Sequence, residues 1–401
     1  MRLIWNTIAD KYHCHNEEYL IYRACPICKA DNSKTILTID NFQFFSDDVT
    51  SKQVNIHQKQ CKKCGTIYMN PCYSNKGFEI LFAEAGQSYG STSARPTEQV
   101  DWLNQHNLLQ DNSRLLDIGC GTGNFLASLP KSIRKVGVDI DAPSIQIGKE
   151  NHQEIEFICS SFEDLEYKEE IDTITMFHVL EHLPKPLETL QRLYKLSNTN
   201  TQLVIEVPII ENGLTNDING FFSAQHLTHF SRMSFKNVLA LSGWGVIDWL
   251  EQKDYNGCRV LAKKQSKTQD IEIGSEEFLN TYNYLSYWYH SVANIEKKIL
   301  DITSKRCIIW GGGMHLEFLY QMTSLFNKGI EFIVVDSDKN KQHKSWRGIN
   351  IYPPSILEDF TENIPLIISS YGGQNSISVA ATSLGIKANN IIKLYDNLRV
   401  Y

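Results

Sequence analysis

The stretch "RLLDIGCGTGNFLASL" constrains the fold of this chain more than any other. An apolar run, Leu115 to Ile118, reads as a strand. Gly119, Gly121 and Gly123 follow at alternate positions, and then Phe125, Leu126 and Leu129 at helical spacing. Glycines in a strand-to-helix turn let the backbone close up on a ligand and leave the first helical N–H groups free to meet it. "KVGVDID" reads as a second strand ending at Asp139, 20 residues after Gly119. A carboxylate there can accept hydrogen bonds from both hydroxyls of a ribose. Strand, turn, helix and strand together predict a doubly wound α/β sheet with a nucleoside-bearing ligand at the turn.

The alternation continues downstream. "ICSSFEDL" follows a third strand, "IDTITMFHVLEHLPKPLETLQRLYKL" supplies a fourth strand and its helix, and "TQLVIEVP" a fifth. "MSFKNVLALSGWGVIDW" then gives the helix and strand before a last hairpin. The turn itself reads Asp117-x-Gly119-x-Gly121-x-Gly123, which departs from the GxGxxG of dinucleotide enzymes. In this order the features resemble the class I S-adenosylmethionine (SAM) methyltransferases. The resemblance implies SAM as cofactor, held at Asp117, Gly119, Gly121, Gly123 and Asp139, with adenine contacts at Ser161 and Phe162. It also places the "HVLEHL" signature, His178 to Leu183, at the end of the fourth strand. His178 there is a cofactor contact or, like Glu181, a residue that orients the strand end.

Ahead of this domain stand two cysteine pairs, Cys25-Pro-Ile-Cys28 and Cys61-Lys-Lys-Cys64-Gly65, with 32 residues between them. A two-residue gap lets both thiolates of a pair face one ion, and Gly65 permits the positive φ that such turns use. Four thiolates fill a tetrahedral shell and leave no position for water, so the spacing predicts structural zinc. The remaining cysteines, Cys14, Cys72, Cys120, Cys159, Cys258 and Cys307, are isolated and read as core packing.

A length of 401 residues calls for two or three domains. The boundaries expected are 1–80 for a zinc-binding module, 81–265 for the SAM domain, and 266–401 for a C-terminal α/β domain. That third block contains a long aromatic helix pattern and a second set of βα units, with a glycine turn at Gly311 to Gly313 and an acidic strand end at Asp336. Leu316 stands where a third dinucleotide glycine would fall, which argues against a nicotinamide cofactor and leaves acceptor binding or plain packing. Net charge −7 and the lack of a dense basic tract argue against nucleic acid. No apolar run approaches the roughly 20 residues of a membrane span. The N-terminus shows no signal-peptide pattern, so a cytosolic protein is expected.

The order of the three parts resembles the sugar C-methyltransferases that act on nucleotide-linked keto-deoxysugars. "CKKCGTIYMNP" is similar to their second zinc knuckle, and "WGGGMHLEFLYQ" with "FIVVDSDKNKQHKSWRGINIYPP" to their C-terminal domain. In that family a loop after the fifth strand carries Glu-His and then Phe-Ser, and the histidine is the proposed base. Here the matching residues are Gln225, His226, Phe230 and Ser231 in "FFSAQHLTHFS". Of the family's Asn-x-x-Ala-His signature only His182 is kept. The resemblance implies C-methylation through an enolate, with His226 as base, Gln225 orienting it, and Tyr89 or His182 stabilising the enolate oxygen. O-methylation of a glycan or small metabolite is the alternative, because Gln225 offers no charge. A non-catalytic SAM-fold scaffold is a third reading, disfavoured by the complete glycine turn and Asp139. A metal at the loop is not expected, since two histidines without a nearby carboxylate or cysteine make an incomplete shell and zinc already has a home at the cysteines. His229 reads as structural.

Overall fold

The computed structural model describes residues 19–46, 51–82, 95–214, 216–252, 255–265, 270–359 and 364–398. At the N-terminal end β1 (Leu20–Ile21) pairs with β5 (Cys72–Tyr73). Between them β2 (Ser33–Ser46) and β3 (Ser51–Cys61) form a long antiparallel hairpin, extended by β4 (Ile67–Met69). Ile39, Phe42, Val54 and Ile56 face the core and are at most 4% exposed. Two helices follow, α1 (Asn75–Phe82) and α2 (Arg95–Gln105).

The central sheet is assembled from β6 (Arg114–Ile118), β7 (Arg134–Asp139), β8 (Glu156–Cys159), β9 (Thr173–Phe177) and β10 (Gln202–Pro208). Helices α3 (Asn124–Ser128), α4 (Ala142–Asn151) and α5 (Pro186–Leu196) connect these strands. After β10 come β11 (Thr228–His229), α6 (Arg232–Leu241) and the closing hairpin of β12 (Trp244–Glu251) and β13 (Gly257–Lys264). The seven strands lie in the order β12-β13-β10-β9-β6-β7-β8, with β13 antiparallel to β10 and β6 to β10 mutually parallel. Both faces are covered, as the unbroken apolar runs require. Leu116, Ile118, Val136, Ile174 and Ile205 enter one core, while Leu115, Val204 and Leu261 enter another. The chain order reverses on either side of β6, and a doubly wound sheet binds ligands at such a switch point.

The third block begins with α7 (Glu276–Leu300) and continues as β14 (Arg306–Trp310), α8 (Met314–Met322), β15 (Glu331–Val335), β16 (Ser345–Trp346), β17 (Ile349–Tyr352), β18 (Leu366–Ile368), α9 (Gln374–Ser383) and β19 (Ile391–Ile392). Its sheet runs β16-β17-β15-β14-β18-β19 and is parallel except at β16. Tyr284, Trp288, Val292, Ile295 and Ile299 form the buried stripe of α7, at the spacing of a helix that covers a core. The expected α/β architecture of N-terminal four-cysteine module, Rossmann-like sheet and second parallel sheet is therefore present.

One connection crosses the expected boundaries. The chain leaves β10, and β11 then adds to the N-terminal sheet, which runs β11-β4-β3-β2, with Thr228 opposite Tyr68 and His229 opposite Ile67. Phe221, Phe222, Ala224 and Leu227 share a core with Ile39, Phe42, Tyr284 and Trp288. The loop after the fifth strand is thus held by the N-terminal module on one side and by α7 on the other. Among the described residues no helix is long and apolar enough to cross a membrane.

Candidate functional site

The glycine turn has the backbone its residues predict. Gly119, Gly121 and Gly123 sit at φ of +75°, +53° and +81°. A Cβ on Gly119 would lie 2.3 Å from Val179, and one on Gly123 2.5 Å from Phe157. At Gly121 nothing lies within 4 Å of that position, so the middle of the turn faces open space. Asp139 fixes the turn: one carboxylate oxygen accepts the Gly121 N–H at 2.8 Å, the other the Asp141 N–H at 2.9 Å. Asp117 is 4% exposed and accepts the Thr175 hydroxyl at 2.7 Å. Burial, with the charge of Asp139 adding to it, pushes its carboxyl up to about 7.

Beside this turn, at the ends of β9 and β10, lies a charge network that the motifs do not announce. His178 has φ +55°. Its Nε2 meets a carboxylate oxygen of Glu206 at 2.9 Å and the Tyr255 hydroxyl, and its Nδ1 lies 3.5 Å from Glu181. Burial works against a charge on this ring, yet Glu181 and Glu206 outweigh it and raise the imidazole to about 9. Glu206 is fully buried and also binds Arg259 at 2.5 Å. Burial opposes its charge, but His178 and Arg259 bring it down to about 2. Glu206 and Arg259 face each other in the register of β10 and β13. The available signal is a single charge inside each of two apolar strands, "LVIEVP" and "CRVLA". An ionised side chain is buried there only when paired.

The third part of the site is the loop stretch Phe221 to Ser231. It is no surface turn: Phe221, Phe222 and Phe230 are at most 4% exposed. The Leu227 N–H donates to the Glu181 carbonyl at 2.8 Å, tying the loop to the 3-10 turn Leu180–His182. His182 Nδ1 lies 2.9 Å from the Gln225 carbonyl oxygen, which only accepts, so that nitrogen carries the proton. Gln225 therefore orients a histidine through its backbone. The rings of His182 and His226 lie 4.9 Å apart. Burial, reinforced by His182 and opposed by Glu181, lowers His226 to about 4, so its ring is neutral near pH 7. His229 is 2% exposed and packs against Phe221 and Phe222, with neither ring nitrogen hydrogen-bonded. Tyr89 lies outside the described residues.

One expectation is corrected here. Of the two loop histidines, His226 does have a carboxylate beside it, brought from another element. Glu181, His182 and His226 each offer a ligand atom, all within 4.8 Å of one another.

The four cysteines converge as their spacing predicts. Cys25 and Cys64 sulfurs are 3.6 Å apart, as are those of Cys28 and Cys61, and all four lie within 4.8 Å. Each pair closes a knuckle: Lys29 N–H donates to Cys25 and Gly65 N–H to Cys61, with φ of +58° and +74°. Hydrogen bonds from its three neighbours push the Cys25 thiol up, and those from Cys25 and Cys64 push Cys61 down. A donor set of four crowded sulfurs fits a tetrahedral thiophilic ion. Of the isolated cysteines, Cys72, Cys120, Cys258 and Cys307 are buried as expected, whereas Cys159 is exposed and Cys14 lies outside the described residues.

Residues 93–248, which hold the turn, the loop and the charge network apart from Tyr255 and Arg259, match the family described as a methyltransferase domain. The chain carries a class I SAM-dependent methyltransferase domain. It is 23% identical over 177 residues to the 235L protein of Invertebrate iridescent virus 6, provisionally named a methyltransferase, covering 41% of this chain and 67% of that one. It is 35% identical over 75 residues to the ubiquinone biosynthesis O-methyltransferase of Nitrobacter winogradskyi, covering 18% of this chain and 29% of that one. The chain thus spans about two thirds of the length of the first relative and under a third of the second. Among solved structures, a SAM-dependent methyltransferase from Aquifex aeolicus is 17% identical, covering 45% of this chain and 97% of that one with a TM-score of 0.37.

Within the methyltransferase domain the open Gly121 and the ordered Asp139 carboxylate fit a SAM ribose and its neighbouring backbone contacts. Each carboxylate oxygen already accepts one N–H and keeps capacity for a hydroxyl. Ser161 caps the turn that follows β8, accepting the Asp164 N–H at 3.2 Å. Phe162, expected at the adenine, is 7% exposed, with Arg192 over its ring and the central core around it. Asp139→Ala removes the ribose acceptor and the brace on Gly121 together. Calorimetric titration should show SAM affinity falling by about 10- to 100-fold, the scale of hydrogen bonds to a charged group. An unchanged affinity removes Asp139 from the cofactor site.

Proposed function

We propose that this methyltransferase acts on a nucleotide-linked keto-deoxysugar, methylating the carbon next to its carbonyl, with His226 as the base. The observation that carries the reading is a neutral His226 with a buried carboxylate beside it, on a loop clasped by two other domains. A carbon acid has no lone pair, so a base must first take a proton and leave an enolate. His226 at about 4 keeps its lone pair over the whole physiological range. The imidazolium formed when the proton arrives gains the negative charge of Glu181, which the fold already holds in place. SAM supplies an electrophilic methyl group when bound.

His182 has a narrower role than the sequence implies. Its Nδ1 proton is used on the Gln225 carbonyl, so it donates to an enolate oxygen through Nε2 only when it is charged. The C-terminal sheet supports a nucleotide-bearing acceptor. Gly312 N–H donates to Asp336 at 2.8 Å and Asp338 N–H to its other oxygen at 2.8 Å, repeating the arrangement around Asp139. The four-cysteine knuckles hold structural zinc in this reading, and fix the strand from which β11 and the loop are suspended.

O-methylation is the second reading, supported by the ubiquinone O-methyltransferase named above; there His226 deprotonates a hydroxyl. Exchange in heavy water separates the two. Incubating the protein without SAM and with a nucleotide-linked 4-keto-6-deoxysugar should wash deuterium into the position next to the carbonyl, as read by mass spectrometry. No exchange, from protein shown to bind SAM, overturns the enolate and leaves hydroxylated acceptors.

A further inference from the structure

Arg23 is half-buried and stands two residues ahead of Cys25, where β1 leads into the first cysteine knuckle. Its backbone is locked to the chain leaving β4 by a reciprocal pair. The Arg23 N–H donates to the Asn70 side-chain oxygen at 3.0 Å, and the Asn70 amide donates to the Arg23 carbonyl at 3.0 Å. From there the guanidinium donates to three backbone carbonyls on three separate segments. Nε reaches Met69 on β4 at 3.3 Å, Nη2 reaches Leu227 on the acceptor loop at 2.7 Å, and Nη1 reaches Pro184 beyond the 3-10 turn. Leu227 directly follows His226, and Pro184 lies two residues after His182. The guanidinium carbon also lies over the ring of Tyr68, 5.7 Å from its centroid, and Tyr68 pairs with Thr228 of the same loop.

The turn and the loop also touch directly, through the Leu227 N–H on the Glu181 carbonyl and His182 Nδ1 on the Gln225 carbonyl. Those bonds join near neighbours in the chain and leave the turn free to roll about the line between them. A hold at Pro184, past His182, closes that freedom. A guanidinium suits the task, because its five N–H donors lie in a rigid planar fork that reaches carbonyls in different directions. A lysine ammonium offers its donors from a single point. We propose that Arg23 is a positioning residue for the methyl transfer, fixing the turn that carries His182 against the loop that carries His226. The proposal rests on His226 being the base. These bonds all end on backbone, so Arg23 acts on the rings through the chain that bears them.

Arg23→Ala and Arg23→Lys in the full-length protein provide the test. Both should keep wild-type SAM affinity, which shows that the cofactor domain is folded. Deuterium exchange into the nucleotide-linked 4-keto-6-deoxysugar should fall about 10²-fold in each, the scale of a misplaced catalytic group. Guanidinium chloride, far below denaturing concentration, should restore exchange in Arg23→Ala by refilling the place of the fork. It should not help Arg23→Lys, whose side chain still occupies the space, and sodium chloride should help neither. Wild-type exchange in Arg23→Ala overturns the proposal. So does a loss that guanidinium leaves unrepaired, or a loss of SAM affinity in either variant. Should wild type itself exchange nothing, the enolate reading fails, and nuclear magnetic resonance decides Arg23 by itself. The His182 and His226 rings, 4.9 Å apart, should give a nuclear Overhauser contact that Arg23→Ala loses and guanidinium returns. A contact unchanged in Arg23→Ala, or lost and not returned, overturns the positioning role.

Discussion

Replacing His226 with alanine is expected to leave SAM affinity unchanged and to slow turnover by about 10²–10⁴-fold, the usual contribution of a positioned general base. The two effects separate because the residues of the cofactor turn and the acceptor loop are different. Gly121 and Asp139 are braced by each other, whereas His226 is held by Ser223, whose hydroxyl accepts its N–H at 3.2 Å, and by the packing of His182. His226→Ala removes no hydrogen bond from the turn. Turnover near that of wild type, at saturating acceptor, takes His226 out of the mechanism. A parallel loss of SAM affinity makes it a residue that shapes the cofactor site.

Cys61→Ser is expected to have the larger effect on stability. Structural zinc contributes on the order of 10 kcal/mol to folding in small modules, and a serine oxygen is a poor replacement for a thiolate. Cys61 ends β3, and its N–H donates to Thr66 at 2.9 Å where the chain turns into β4. Since β11 is paired with β4, loosening the knuckle reaches the acceptor loop: the Met69 N–H donates to Leu227 at 3.0 Å, next to His226. Zinc content should fall to near zero, the melting temperature should drop, and amide exchange at residues 226–229 should accelerate. Wild-type zinc content contradicts the assignment. Zinc loss with an unaltered loop breaks the coupling between the module and the site.

Much of this was legible from local chemistry. The three glycines sit at positive φ in one turn, with Asp117 and Asp139 near the ends of the two strands beside it, and that arrangement is read from a short stretch of chain. The cysteine pairs are equally local, because a knuckle is closed by residues four apart. What sequence spacing does not convey is which separate elements meet. Glu181 and His226 are 45 positions apart, and only the pairing of β11 with β4 brings the loop back over the end of β9. For the same reason the sequence shows no carboxylate beside His226, although Glu181 stands near it in space. Glu206 and Arg259 did leave a trace, as single charges in buried strands, but their partnership becomes visible only in the antiparallel register of β10 and β13.

The reaction proposed is methyl transfer to carbon at the site where Glu181, His182 and His226 meet. The most direct test supplies SAM with an isotopically labelled methyl group and a nucleotide-linked 4-keto-6-deoxysugar, then locates the label by nuclear magnetic resonance. A labelled methyl bonded to the carbon beside the carbonyl is the expected result, and none from the His226→Ala protein in the same time. A label bonded to oxygen contradicts it.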